Sequence, residues 1–216
     1  GLDNKQSVND NFLDNFLFDA TLHQNSVLRS FFGGAVEDYN VVVVAVDEKT
    51  YTSINVKEHG HRALAPNFAK LIKALAAGNA TTIGFDYIFA YPGKYLDPTG
   101  PRSEESFKEQ LDANRNILVL GETQAIQSHD RFHKILDPTK HFGYTEFFAD
   151  SDNIVRRFPK EIEVPNHEPQ RTFIGAILEN SNVSHVPETI FLAPARSLEW
   201  IPAYSLVDLV SCYESG

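Results

Sequence analysis

The chain of 216 residues contains one cysteine, Cys212, and no methionine. A lone cysteine excludes an internal disulfide, but it does not argue against an oxidising compartment, where many exported domains lack disulfides. Basic residues are scarce: 19 lysines and arginines stand against 29 acids, a net charge of −10. That deficit argues against nucleic acid or an anionic membrane surface as the main partner. No apolar run approaches the roughly 18 residues that a membrane span needs, and no signal-peptide pattern opens the chain. Catalytic signatures are missing as well. There is no nucleophile elbow, Walker-type loop or dinucleotide fingerprint. Gly33-Gly34 precedes a strand instead of joining strand to helix, so it cannot cradle phosphate in the usual way. A segment that begins Gly-Leu-Asp-Asn reads as part of a longer protein, whose membrane helices would then lie outside it.

What is present is ordinary globular composition, 42% hydrophobic and 22% charged, with chain enough for a core that needs no staples. The stretch Val41-Val42-Val43-Val44-Ala45-Val46-Asp47 is apolar on both alternating faces. It predicts a central parallel strand, covered on both sides and ending on Asp47. Before it, Leu13, Phe16, Leu17 and Ala20 share one helical face, so residues 1–40 read as an N-terminal helix and connector. After it, residues 48–65 show no period. Phe68, Leu71, Ile72 and Leu75 then form a helical stripe between Pro66 and Gly78. A second strand is expected at 82–89, a turn-rich loop at 91–101, and a short helix from Ser103 with Phe107 and Leu111 inward. A third strand at 116–121 ends beside Glu122.

The second half predicts shorter strands at 141–148 and 154–159. The hairpin chemistry of Ala149-Asp150-Ser151-Asp152-Asn153 lies between them. A helix at 171–180, strands at 189–192 and near 200–201, and a short last helix around Leu206, Leu209 and Val210 complete the pattern. The fold class is α/β: a single domain over 41–216 with a mixed, mainly parallel-cored sheet flanked by helices, plus an antiparallel C-terminal half.

Three acids close strands: Asp47, Asp86 and Glu122. Acids in such places commonly cap a following helix or tie down a turn. They also stand where ligands meet open α/β sheets, so a shared polar pocket is the second reading. Arg156 and Arg157 are adjacent and point to opposite faces on a strand. One could turn inward and pair with Asp47 or Asp86, since an unpaired buried charge is prohibitive; alternatively both lie on an exposed edge strand. The candidate ligand-binding or buried polar-link residues are therefore Asp47, Asp86, Glu122, Arg156 and Arg157. The pairs His59/His61 and His129/His133 have spacings that could hold zinc, but no flanking acid or cysteine completes a site. No catalytic residue, metal or cofactor is expected. The triplets Asn79-Ala80-Thr81 and Asn182-Val183-Ser184 would matter as sequons only in a eukaryotic secretory host.

The order of several motifs resembles the CHASE domain of the second type. These are Val43-Val44-Ala45-Val46-Asp47, a helix, Ile83-Gly84-Phe85-Asp86-Tyr87-Ile88-Phe89, Asp150-Ser151-Asp152-Asn153-Ile154-Val155-Arg156-Arg157-Phe158-Pro159, and Ile201-Pro202-Ala203-Tyr204-Ser205-Leu206-Val207-Asp208-Leu209. Leu17-Phe18-Asp19-Ala20-Thr21-Leu22 is similar to the family's first helix, which follows a membrane span. The resemblance implies an extracytoplasmic (periplasmic or extracellular) sensory domain of a bacterial-type receptor with no catalytic role of its own. Such a domain lies between membrane spans and controls a cytoplasmic adenylate or guanylate cyclase or a histidine kinase. It also implies anchoring through flanking helices, a homodimeric parent, a small-molecule or protein signal, and no nucleic acid.

There are departures from the family pattern. His59-Gly60-His61-Arg62-Ala63-Leu64-Ala65-Pro66 stands where members often carry Trp-Pro or Pro-Arg, and Asp152-Asn153 replaces the usual Asp-Gly. The family's last strand, of Gly-Lys-x-Val-x-x-Gly type, does not follow Gly216, so the chain stops short of it or the domain closes differently. Two alternatives remain beside the sensor. One is a metal- or phosphate-using α/β enzyme built on the strand-end carboxylates; the other is a dimerisation module with the N-terminal helix as its contact.

Overall fold

The computed structural model describes residues 41–59, 61–90, 102–146, 149–155, 157–163, 168–181, 188–191 and 202–215. The helix expected at 13–20, the whole of the 91–101 loop, Arg156 and the strand expected near 200–201 lie outside them.

Strand β1 (Val43–Ala45) is followed by α1 (Glu48–Ser53), α2 (Val56–His59) and a 3-10 turn (His61–Leu64). These pieces are short, which is why no period shows between 48 and 65: an element of four to six residues has no room for a repeated stripe. Local chemistry places them instead, with Asp47 capping α1 and Asn55 turning the chain at φ 54°. Helix α3 (Ala65–Ala77) carries Pro66 in its first turn and ends at Gly78, whose N–H reaches the Ala74 carbonyl at 3.0 Å.

Next come β2 (Ile83–Phe85), α4 (Arg102–Ala113), β3 (Leu118–Glu122), α5 (Asp130–His133), α6 (Pro138–His141) and β4 (Phe142–Tyr144). The three strands form a parallel sheet in the order β2-β3-β4. Register sorts its two faces. Ile83, Phe85, Leu118, Leu120 and Phe142 share one face and join α3 and α4 in the main core. There Phe68 meets Phe85 edge-on with centroids 5.4 Å apart, and Phe89 lies 5.1 Å from Phe107. Each such aromatic pair adds about 0.5–1.5 kcal/mol beyond its buried area.

The opposite face of the sheet carries Gly84, Val119, Gly121 and Gly143. The second half supplies its cover. It comprises β5 (Arg157–Pro159), β6 (Glu161–Ile162), β7 (Gln170–Arg171), α7 (Phe173–Asn180), β8 (Thr189–Phe191), β9 (Ala203–Ser205) and α8 (Leu206–Ser215). Helix α7, capped by the Thr172 hydroxyl, packs on β3 and β4 across the glycines. A Cβ on Gly143 would stand 2.6 Å from the Phe173 Cα, so only glycine lets the helix close to this distance. Helices on both faces of a parallel sheet give the α/β class. The antiparallel pairs β5–β8 and β6–β7 give the C-terminal half its expected character.

Two expectations are corrected. The stretch 41–47 is not the central strand: β1 pairs in parallel with β9 alone among the described residues, and Val41, Val42 and Val43 are 58, 47 and 46% exposed. Only Val44 and Val46 reach the core. The strand covered on both faces is β3, whose five residues are all buried. A β-branched run favours extended backbone without saying how many neighbours that backbone acquires. Among the described residues, the hairpin between 141–148 and 154–159 also does not form. Its turn closes, with the Asp150 N–H on the Ile154 carbonyl at 2.9 Å and Asn153 at φ 63°. However, β4 lies alongside β3 while β5 pairs with β8.

Candidate functional site

Asp47 leaves β1 as the N-cap of α1. Its Oδ1 accepts the Thr50 N–H at 2.9 Å and the Ser205 hydroxyl at 2.9 Å, and the Thr50 and Ser205 hydroxyl oxygens are 3.3 Å apart. The N–H and hydroxyl of Thr50, and then Ser205, hold the carboxyl below its ordinary value against the opposing effect of burial. Thr50 itself is fully buried. One carboxylate thus caps a helix and ties the start of the described chain to β9 near its end.

Asp86 and Glu122 follow neighbouring strands but do not converge. Register places Asp86 beside Gly121, and the strand alternation, continued one residue past β2, puts it on the α7 face. Glu122 shares the face of Leu118 and Leu120. Asp86 is exposed, whereas Glu122 is buried. The Glu122 carboxylate accepts the Ser128 N–H at 2.8 Å and lies 2.7 Å from the His133 Nε2, so His133 is a carboxylate partner. Tyr144, opposite Glu122 in register, has its hydroxyl pKa raised chiefly by burial, with Glu122 and Glu146 adding to it. His129 caps α5 through Nδ1, and His61 packs edge-on against Tyr51. Among the described residues no three of His, Cys, Asp or Glu gather as a metal site.

Arg157 pairs with neither Asp47 nor Asp86. Its Nη2 and Nε reach one oxygen of Asp150 at 2.6 and 3.0 Å, stapling the 149–155 turn to β5. The sequence carried this signal: acids fill the turn and an arginine follows within a few residues. Arg156 lies outside the described residues.

At the amino edge of the sheet there is a cavity of about 480 Å³ that sequence reasoning missed. Its walls come from Arg115 and Asn116 before β3, from α6, from Arg171 of β7, and from Glu179 and Asn180 at the end of α7. Parallel crossovers bring these segments together, and no local spacing announces it. His141 is buried, with Nδ1 3.1 Å from the Leu118 carbonyl. Glu179 holds Lys160 on one oxygen at 2.9 Å and Arg171 on the other at 2.6 Å. Burial pulls the Glu179 carboxyl up, but these two cations outweigh it and hold the group below its ordinary value.

A family model described as the CHASE2 domain matches residues 4–200. The chain belongs to the CHASE2 family. No curated protein and no solved structure matches it. CHASE2 domains are extracellular sensory domains linked to signalling receptors; they are not catalytic, and neither is this chain. That agrees with the carboxylates, of which Asp47 and Glu122 are engaged by backbone N–H groups instead of facing an open reaction site. No helix among the described residues of this CHASE2 domain is long and apolar enough to cross a membrane.

Proposed function

We propose that this CHASE2 domain is the extracytoplasmic input domain of a membrane-anchored receptor whose output is a cytoplasmic adenylate or guanylate cyclase or a histidine kinase. Family membership supports the sensory part. The observation that carries the mechanism is the parallel pairing of β1 with β9, locked by the Asp47–Ser205 bond. Helix α8 follows β9 directly and packs back on α3 and α1, with ion pairs from Lys70 to Glu214 at 2.6 Å and from Lys49 to Asp208. The segments leading to β1 and away from α8 therefore attach to one tied unit. A signal that shifts this unit between two arrangements moves both attachments together, by as much as it favours one arrangement over the other.

The lone cysteine offers the test. Cys212 is exposed on α8. Intact cells making the full-length protein are treated with a membrane-impermeant maleimide, with Cys212→Ser as background. Labelling without permeabilisation is the expected result; labelling only after lysis would place the domain inside and refute the proposal.

A further inference from the structure

We propose that the cavity at the amino edge of the sheet binds a small oxyanion, the phosphate or carboxylate group of a soluble metabolite. This deepens the input-domain reading and rests on it for its purpose, while the binding itself is measured on the 216-residue chain alone. The charge balance carries the argument. The whole chain has a net charge of −10, yet the cavity lining holds three fixed cations, Arg115, Lys140 and Arg171, against two carboxylates; of the three, Arg115 also pairs with Asp112, outside the lining, at 2.8 Å.

Of those two carboxylates, one has both oxygens engaged and the other has one. Glu179 is shared between Arg171 and Lys160, so two positive charges face one negative one. Asp137 spends its Oδ1 on the Thr139 N–H at 2.9 Å and hydroxyl at 2.8 Å, capping α6. Lys140 forms a long ion pair with the other Asp137 oxygen, 3.8 Å away and beyond hydrogen-bond length, with most of its side chain exposed. The neutral part of the wall adds one unmet donor. The Nδ2 of Asn180 is buried with no partner among the described residues, and an unmet buried donor is costly until a ligand acceptor or a water meets it. His141 commits its Nδ1–H to the Leu118 carbonyl, so the Nε2 of the neutral ring is an acceptor and adds no donor to the wall. A volume of about 480 Å³ suits a small metabolite rather than a peptide.

The test is calorimetric titration of the 216-residue chain with sodium phosphate and with sodium succinate, each at an ionic strength fixed by sodium chloride. Thermal unfolding is followed in the same three salts. Saturable binding of phosphate or succinate is expected, and the two arms tell which oxyanion the cavity prefers. The double variant Arg115→Gln/Lys140→Gln alters side chains that are more than half exposed, so the fold is kept; it should weaken that binding at least tenfold. Equal affinity in the variant, or stabilisation that follows ionic strength and not the oxyanion, overturns the site. So does a failure to bind either ion, and that result would leave the outcome of Cys212 labelling unaffected.

Discussion

At Asp47 a single carboxylate oxygen accepts the Thr50 N–H and the Ser205 hydroxyl, two donors 155 positions apart in the chain. Asp47→Ala removes a helix cap and a long-range tie at once. The thermal midpoint should fall by roughly 2–4 °C or somewhat more, given the usual cost of losing a cap in a domain of this size. The effect depends on pH with a definite sign. The folded-state pKa lies below the ordinary aspartate value of 3.8, so the ionised carboxylate contributes its stability above that value and loses it as pH falls through the lower, folded one. Unfolding curves of the two proteins at pH 7 and pH 2.5 should therefore differ more at the first than at the second; a gap that stays constant would exclude the carboxylate charge as the cause. The sequence made the capping half of this arrangement legible, because an acid directly before a helix is a local signal. Ser205 was not legible, since nothing near position 205 says which strand it will face. Arg157 shows the same limit from the other side: its partner Asp150 is seven residues away in the 149–155 turn, while the more distant Asp47 is engaged elsewhere and Asp86 is exposed.

At the level of elements, the sheet is positioned by what its strands omit. Gly84, Gly121 and Gly143 clear one face of β2-β3-β4 for α7, and the consequences of filling that space differ by position. At Gly143 a Cβ meets backbone, 2.6 Å from the Phe173 Cα and 2.7 Å from the Thr172 carbonyl oxygen; at Gly84 its nearest neighbour is the Ile177 Cδ1 at 2.7 Å, the end of a flexible side chain. Gly143→Ala should cost about 1–3 kcal/mol in urea unfolding, the usual range for overpacking, and Gly84→Ala less. The reverse order would mean that α7 does not rest on β4 as described. The apolar runs announced strands at 82–89 and 116–121, and the stripes announced α3, α4 and α7, because period and length are properties of the segment itself. Position within the sheet is not such a property. The run 41–47 looks more buried than β3 by composition, yet among the described residues β3 gains two strand neighbours and β1 one, through connections that no window of sequence contains.

For the whole molecule, two regions far apart in sequence have become sites of interest. One is the tied unit of β1, β9 and α8; the other is the cationic cavity assembled from the segment before β3, α6, β7 and α7. Neither could be read from spacing alone, since each joins segments brought together only by crossovers. If the domain is an input device, the tie is the part whose state must reach the output. Ser205→Ala removes the hydroxyl contacts to Asp47 and Thr50 and leaves the Asp47 cap on α1 in place. The most direct measurement is the basal cyclase or kinase activity of the full-length protein in membranes, compared between wild type and Ser205→Ala at equal protein levels and at a temperature where both are folded. A changed basal activity is the predicted result. Identical activity in the two proteins would contradict the account, because it would mean that loosening the β1–β9 unit passes unnoticed to the rest of the receptor.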